Sequence, residues 1–331
     1  MNHGFGQLLC CLEERWPHAG DARLVIQTHD YPDHDAVASA WGLSRLLAEF
    51  GYPTRIVYRG RLRSHSLLAM VGQLGIPLEC LHDSDMPALA DWQSLVVDGS
   101  PLRVNARPLA GTVLGVVDHH PNPGDLHCPW VDVRTSYGAC ASIVADLWLE
   151  AGREPDRDTA TALLMGIQMD TDFLGRRVSP MDLAALQRIF FIADWEFGTS
   201  TLRTALSIED LPQIEAALSH AQVEGNLFFT LVPIDCSQEL ISILADFFMR
   251  LREISVTVIM ESGGDDYHVS VRSRNPDLSA AALLKRALAG LGQGGGHDHM
   301  AGGVIPPASF PGEGPVFKKF KEAIETIQEL Q

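Results

Sequence analysis

Apolar positions along this chain fall into short, nearly unbroken runs, separated by longer stretches in which apolar residues recur at helical spacing. Leu24-Val25-Ile26, Arg55-Ile56-Val57-Tyr58, Ser94-Leu95-Val96-Val97 and Thr112 to Val117 read as strands. Helical spacing covers 6–14, 37–50, 66–74, 86–92, 139–151 and 158–169. Gly51 with Pro53, and Gly75 with Pro77, mark two of the helix ends. Strands that alternate with helices and lack a polar face imply an α/β fold, with a mostly parallel sheet flanked by helices on both sides.

From about Met181 the pattern changes. Two helical stretches, 181–194 and 209–223, carry no strand between them. The second is polar on most faces and reads as a helical connector. A smaller α/β unit then begins, with a strand at 227–232 and a helix at 238–250. A hairpin, 255–261 with 267–272, turns at Gly263-Gly264-Asp265. A helix at 279–288, a glycine-rich stretch at 290–303 and a final helix at 315–331 complete the chain. The expected division is a first domain over 1–196, a helical linker over 197–224 and a second domain over 225–331.

Composition narrows the possibilities. The 331 residues are long enough for two cores, and 46% are hydrophobic. No apolar run reaches bilayer length, and the start has no secretory pattern. The six cysteines lack C-x-x-C spacing and sit mostly among apolar residues. They read as reduced, buried thiols of a cytoplasmic protein. The formal net charge is −17, which argues against a long duplex nucleic acid as partner. Short phosphorylated ligands remain compatible, because bound cations and a few arginines can make one cleft positive.

Candidate chemistry is concentrated at strand ends. The stretch His29-Asp30-Tyr31-Pro32-Asp33-His34-Asp35-Ala36 follows the first strand, Asp98-Gly99 a later one, and Asp118-His119-His120 another. A helix delivers Asp170-Thr171-Asp172. Carboxyl ends of parallel strands gather at one sheet edge, where ligands bind. Packed carboxylates repel one another, so cations are the natural occupants. Mixed carboxylate and imidazole donors suit manganese, iron or zinc. Four aspartates and two neutral histidines balance two divalent ions, the arithmetic of a two-metal phosphoester hydrolase. Each acid also has an ordinary reading as a cap or turn residue, with Asp35 as N-cap of a helix from Val37.

In these motifs and their order, the sequence resembles the DHH phosphoesterase family with a C-terminal DHHA1 domain. The name-giving triad is Asp118-His119-His120, and the family's H-x-N-P-D-G-D-A motif stands as residues 29–36. The resemblance implies one metal on His29, Asp33 and Asp98, and a second on Asp35, Asp98, His119 and Asp170, with manganese as the usual ion. It gives His120 to the scissile phosphate or the leaving oxygen, Asp98 to both metals, and Asp118 to orienting a histidine. Three positions depart from the usual pattern: Tyr31 for asparagine, His34 for glycine, and Asp172 for the last glycine of D-T-G. His34 would add an imidazole at the rim, while Asp172 would either recharge the second metal or face solvent.

In the second unit, the resemblance assigns substrate binding to Arg272, Arg274, Gly295, Gly296 and His297. Glycines let backbone N–H groups approach an anion, and arginines fork onto phosphate. A flexible turn and a solvated strand face are the plain alternatives. Phe190, Phe191, Trp195 and Phe197 read as core. The implied activity is hydrolysis of short phosphorylated nucleotides: oligoribonucleotides such as pApA, 3′-phosphoadenosine 5′-phosphate, or cyclic dinucleotides. An inorganic pyrophosphatase or exopolyphosphatase is the rival enzyme, and a nucleotide sensor without turnover the rival of another class. Relatives of this kind often form homodimers.

Overall fold

The structure, a computed structural model, describes residues 4–62, 64–121, 124–204, 206–233, 236–263 and 266–329. The chain divides into two compact units, Met1–Ala205 and Leu206–Gln331.

The first unit runs α1 (Phe5–Arg15), β1 (Leu24–Gln27), α2 (His34–Glu49), β2 (Thr54–Tyr58), α3 (His65–Gln73), β3 (Leu78–Cys80), β4 (Gln93–Val97), β5 (Thr112–Asp118) and β6 (Trp130–Val133). It continues with α4 (Cys140–Glu150), α5 (Arg157–Asp170), α6 (Pro180–Ile189) and α7 (Trp195–Arg203). Its strands form one parallel sheet in the order β3-β2-β1-β4-β5-β6. Every residue of β1 and β4 is buried, as expected for strands covered on both faces. The strand order reverses between β1 and β4. Chains leaving these two strands therefore diverge and open a crevice at the carboxyl edge.

Helices α2, α4 and α5 pack against one another beside this sheet. A Cβ on Gly166 would stand 2.9 Å from the Ala38 Cβ and 3.1 Å from Asp35 Oδ1. The missing side chain lets α5 lie directly on α2, and the same helix carries Asp170 to its last turn. Leu43, Leu46 and Leu163 are fully buried around this contact. Truncating any one to alanine should cost about 2–5 kcal/mol.

The second unit runs α8 (Leu211–Ser219), β7 (Gln222–Glu224), β8 (Leu227–Val232), α9 (Gln238–Phe248), β9 (Val256–Gly263), β10 (Asp266–Ser273), α10 (Ala280–Ala287), β11 (Gln293–Gly296), β12 (Met300–Ile305) and α11 (Glu313–Glu329). Its sheet has the order β11-β12-β10-β9-β8-β7 and is antiparallel except for the parallel pair β8–β9. Val269 and Val271 of β10 pack in one cluster with Leu283 and Phe320, on the face of α10 and α11. Phe228 and Ile259 pack on the other side with residues of α8 and α9.

Several details differ from the sequence reading. The segment 83–89 is a 3₁₀ turn rather than a helix from Met86, because Pro87 interrupts α-helical bonding. The edge strands β3 and β6 are too short, or too polar, to stand out as apolar runs. Within 181–194 the helix stops at Ile189, and α7 starts separately on the Asp194 cap. Residues 197–224 are shared between the units rather than set apart from both. The Gly198 Cβ position lies 3.1 Å from Met165 of α5, and Ala216 and Ala217 of α8 join the second core. Gly264 and Asp265 of the expected hairpin turn, and residues 330–331 of the last helix, lie outside the described residues. Of the six free cysteines only Cys140 is buried, and Cys10 is exposed. Phe191 is 89% exposed and Trp195 42%, so these two are not core.

Candidate metal centre

The crevice collects donors from five places in the chain. His29 and Asp33 lie in the loop after β1, and Asp33 also caps α2, its Oδ1 accepting from the Ala36 N–H at 3.0 Å. Asp35 follows in the first turn of that helix. Asp98 leaves β4, Asp118 ends β5 with His119 and His120 behind it, and Asp170 ends α5. Three groups result: His29, Asp33 and Asp98; Asp35, His119 and Asp170; and Asp98, Asp118, His119 and His120. Within each group the donor atoms lie within 4.8 Å of one another. Asp98 belongs to two groups and holds φ +51°. That left-handed backbone is costly for a residue with a Cβ, and it turns the carboxylate back across the strand ends.

The histidines are aimed by their far nitrogens. His29 Nδ1 lies 2.8 Å from the Asp30 carbonyl, and His119 Nδ1 lies 3.2 Å from that of Tyr137. With Nδ1–H donating, each Nε2 faces the carboxylates. His29 Nε2 is 3.8 Å from Asp98 Oδ2, and His119 Nε2 is 3.4 Å from Asp98 Oδ1 and 3.2 Å from Asp170 Oδ2. His120 differs: its Nδ1 is held at 2.8 Å by Asp118 Oδ1, which also accepts the His120 backbone N–H. Backbone carbonyls that orient histidines carry no side-chain signature, so the sequence offered no sign of these two.

Charge is unbalanced here. Asp98 Oδ1 and Asp170 Oδ2 are buried with no hydrogen-bond partner. Burial raises the Asp35 pKa well above the carboxylate range, and repulsion from Asp98 and Asp170 raises it further. Burial also lifts Asp170 to about 6. Burial works against the charge on His119, yet Asp98, Asp35 and Asp170 push it up to about 10. His29 is raised likewise, against its burial, by Asp33 and Asp98. Despite burial, His119, His120 and His29 hold Asp98 far below the usual carboxylate value. Protons on the imidazoles supply positive charge that divalent cations would supply better. Hard oxygen donors with two or three imidazoles suit such ions, and the unpartnered oxygens are where an ion would bind.

Residues 23–167 match the DHH family, N-terminal domain, and residues 224–330 match the DHHA1 domain. The chain belongs to the DHH/DHHA1 phosphoesterase family. It is 31% identical over 306 residues to an uncharacterized protein of Methanocaldococcus jannaschii, covering 92% of this chain and 62% of that one. It is 26% identical over 332 residues to the bifunctional oligoribonuclease and PAP phosphatase NrnA of Mycoplasma pneumoniae, covering 93% and 92%. Among solved structures, an exopolyphosphatase-related protein from Bacteroides fragilis shares the fold, with TM-score 0.77, 17% identity and 97% of each chain covered.

Within the DHH unit, Asp35 does more than face His119 and Asp170. Its two oxygens accept the Cys140 and Ala141 N–H groups at 2.7 and 2.8 Å. It therefore caps α4, whose own N-cap residue, Ala139, offers no side-chain bond. The sequence reading placed Asp35 as a possible cap of its own helix. That cap is Asp33, and α2 starts at His34 rather than Val37. His34 is not at the rim: it is buried, its Nε2 2.9 Å from the Ser66 hydroxyl of α3. Asp172 is exposed at φ +48° and joins none of the three groups.

In the DHHA1 unit the glycine stretch is a hairpin rather than an open loop. Gly294, Gly295 and Gly296 pair with Gly303, Gly302 and Ala301. A Cβ on Gly296 would come within 2.4 Å of the Met300 carbonyl, while Gly295 has open space beside it. The His297 ring stacks near His299, with centroids 6.0 Å apart. Arg272 is buried and bonds Asp246 Oδ1 at 2.7 Å through Nε and the Ser270 hydroxyl at 2.9 Å through Nη1. Arg274 lies past the end of β10, and its guanidinium donates to the carbonyls of Met249, Leu251 and Arg252. It thus caps the C-terminal end of α9, an internal use that strand alternation could not show.

Proposed function

We propose that the chain is a metal-dependent phosphoesterase that uses two divalent ions, manganese being the expected species, to hydrolyse short phosphorylated nucleotides. The observation that carries this reading is the pair of buried, unpartnered oxygens, Asp98 Oδ1 and Asp170 Oδ2, facing His119 Nε2. His29, Asp33 and Asp98 would hold one ion, and Asp35, Asp98, His119 and Asp170 the other, with Asp98 shared. Such ions supply an activated water near neutral pH and positive charge for the phosphoryl oxygens.

The chain's own groups do the rest. Carbonyls of Asp30 and Tyr137 fix the two ligand histidines in the tautomer that leaves Nε2 for the ion. Asp118 fixes the His120 ring through Nδ1. That leaves His120 Nε2 to bond the phosphate or give a proton to the departing oxygen. The Asp98 backbone strain is what such a position demands, since an unstrained strand end would aim the carboxylate elsewhere.

Short substrates fit the charge. A protein at −17 repels long polyanions, and a local cationic centre still accepts a terminal phosphate. Similarity to NrnA supports oligoribonucleotides and 3′-phosphoadenosine 5′-phosphate as the class. The test is hydrolysis of pApA, 3′-phosphoadenosine 5′-phosphate, cyclic diadenylate and pyrophosphate in parallel, with manganese and with chelator. Manganese-dependent cleavage of a nucleotide is expected, and the fastest names the substrate. Turnover of pyrophosphate alone, or tight nucleotide binding without turnover, would overturn the reading.

A further inference from the structure

A second concavity opens on the DHH unit at the same sheet edge as the metal groups. It has a volume of about 240 Å³ and is lined by Tyr31, Arg59, Gly60, Arg61, Leu81, His82 and Asp83. That is below the roughly 300–1,000 Å³ of pockets that enclose a whole small molecule. It therefore suits one part of a larger ligand. Tyr31 sits between His29 and Asp33 in the metal loop and holds φ +56°. Its backbone N–H donates to the Arg59 carbonyl at 2.9 Å. Its ring lies against Gly60, where a Cβ would come within 2.7 Å of it. Gly60, at φ +92°, is thus needed both for its backbone and for that contact. The ring is still 51% exposed.

Charge around the ring is mixed, with Arg59 and Arg61 beside Asp83 in the lining and Asp30 next to Tyr31 in the chain. Arg59 pairs with Asp83 at 3.3 Å, and Arg59 and Arg107 both act on the Asp30 carboxylate. Arg61 is exposed and has no ion-pair or hydrogen-bond partner among the described residues. An exposed aromatic face beside an available guanidinium, here that of Arg61, is the pairing that binds nucleotides, by base stacking and phosphate contact. We propose that Tyr31, Arg59 and Arg61 form a subsite for one nucleotide of the substrate, with Tyr31 as the base platform and Arg61 as the phosphate contact. The inference rests on the phosphoesterase reading for its substrate, but the binding it predicts can be measured without turnover. It also gives Tyr31 a reason to stand in that loop: the strained backbone turns the ring onto Gly60, at the same sheet edge as the metal groups.

The probes are AMP and ribose 5-phosphate, which lacks the base. Binding of each to the full, manganese-loaded chain is measured by calorimetry. Y31N should weaken AMP about tenfold and ribose 5-phosphate less than about twofold, since stacking contributes roughly 1–3 kcal/mol per base. Asparagine tolerates the left-handed backbone, so a loss in Y31N is not a loss of fold, and Y31F should bind like the parent. R61A should weaken both probes alike. Manganese affinity, measured on each variant, should be unchanged. AMP affinity within twofold of the parent in both Y31N and R61A would overturn the subsite. So would equal losses of both probes in Y31N, or failure of the parent chain to bind AMP. Hydrolysis of pApA is scored separately on the parent. No hydrolysis with Tyr31-dependent AMP binding intact would sink the phosphoesterase reading and leave the subsite standing.

Discussion

Manganese binding to this chain should expel protons, and the count follows from the site. His119 can ligate an ion only as the neutral imidazole, yet its carboxylate neighbours push its pKa up to about 10. At pH 7 the metal-free site therefore carries that proton. Displacing it costs roughly 4 kcal/mol, from about 1.4 kcal/mol per pH unit between 7 and 10. Each unit of rising pH removes one unit of that cost, so apparent affinity should climb about tenfold per unit between pH 7 and 9. Asp170, at about 6, adds a second proton on the acid side and steepens the fall there. In the metal-free chain, the His119 shift stabilises the fold fully below the ordinary imidazole value, and that stability is lost as pH rises through about 10. The raised Asp170 acts in the same direction, stability falling as pH rises from the ordinary carboxylate value through about 6. Calorimetry at pH 7.5 in buffers of different ionisation enthalpy counts the protons. At least one proton per His119-bound ion is expected, with more where Asp35 gives up a proton to the same ion. A release near zero, with affinity flat from pH 7 to 9, would refute the argument that the carboxylates hold a proton where the ion binds.

Three further substitutions separate structure from chemistry. D35N keeps one acceptor for the two N–H groups at the start of α4 and should lose about 1–3 kcal/mol there, partly offset by relief of repulsion with Asp98 and Asp170. Melting with and without manganese should show the metal-induced rise in Tm shrinking more than the metal-free Tm falls. R134A strips a buried Asp132 of a guanidinium held at 2.7 and 2.8 Å, which also reaches Glu150 at 2.9 Å. Because Asp132 and Glu150 also accept the N–H groups of Gly4 and Phe5, a loss of about 3–5 kcal/mol is expected in urea unfolding. R274A removes the α9 cap and should cost about 1–2 kcal/mol, with the KM for pApA changed less than about threefold in steady-state kinetics.

The sequence carried the centre further than the periphery. Strand-end residues are legible because a buried parallel strand is an apolar run with an abrupt end, so Asp98 and Asp118 were placed by where hydrophobicity stops. Asp33 and Asp35 could not be told apart, because both metal ligation and capping put aspartate at a helix start. Only distances show that Asp33 caps its own helix while Asp35 caps a distant one. His34 was misplaced because its partner, Ser66, is contributed by another helix. The glycine stretch looked like a loop because strand propensity is a side-chain property and glycine has none. The Tyr31 pocket left no trace, since it needs Arg59 and Arg61 brought beside the metal loop by β1–β2 pairing.

The most direct test of the central claim is manganese titration of the chelator-stripped chain, followed by calorimetry and by pApA hydrolysis in the same samples, for the parent and for D98N. Asparagine accepts the left-handed backbone at this position, so the variant should fold. The account predicts two ions per parent chain, hydrolysis that tracks their binding, and in D98N weakened binding with activity down at least about a hundredfold. Hydrolysis that persists in chelator, or a D98N chain as active as its parent, would contradict it.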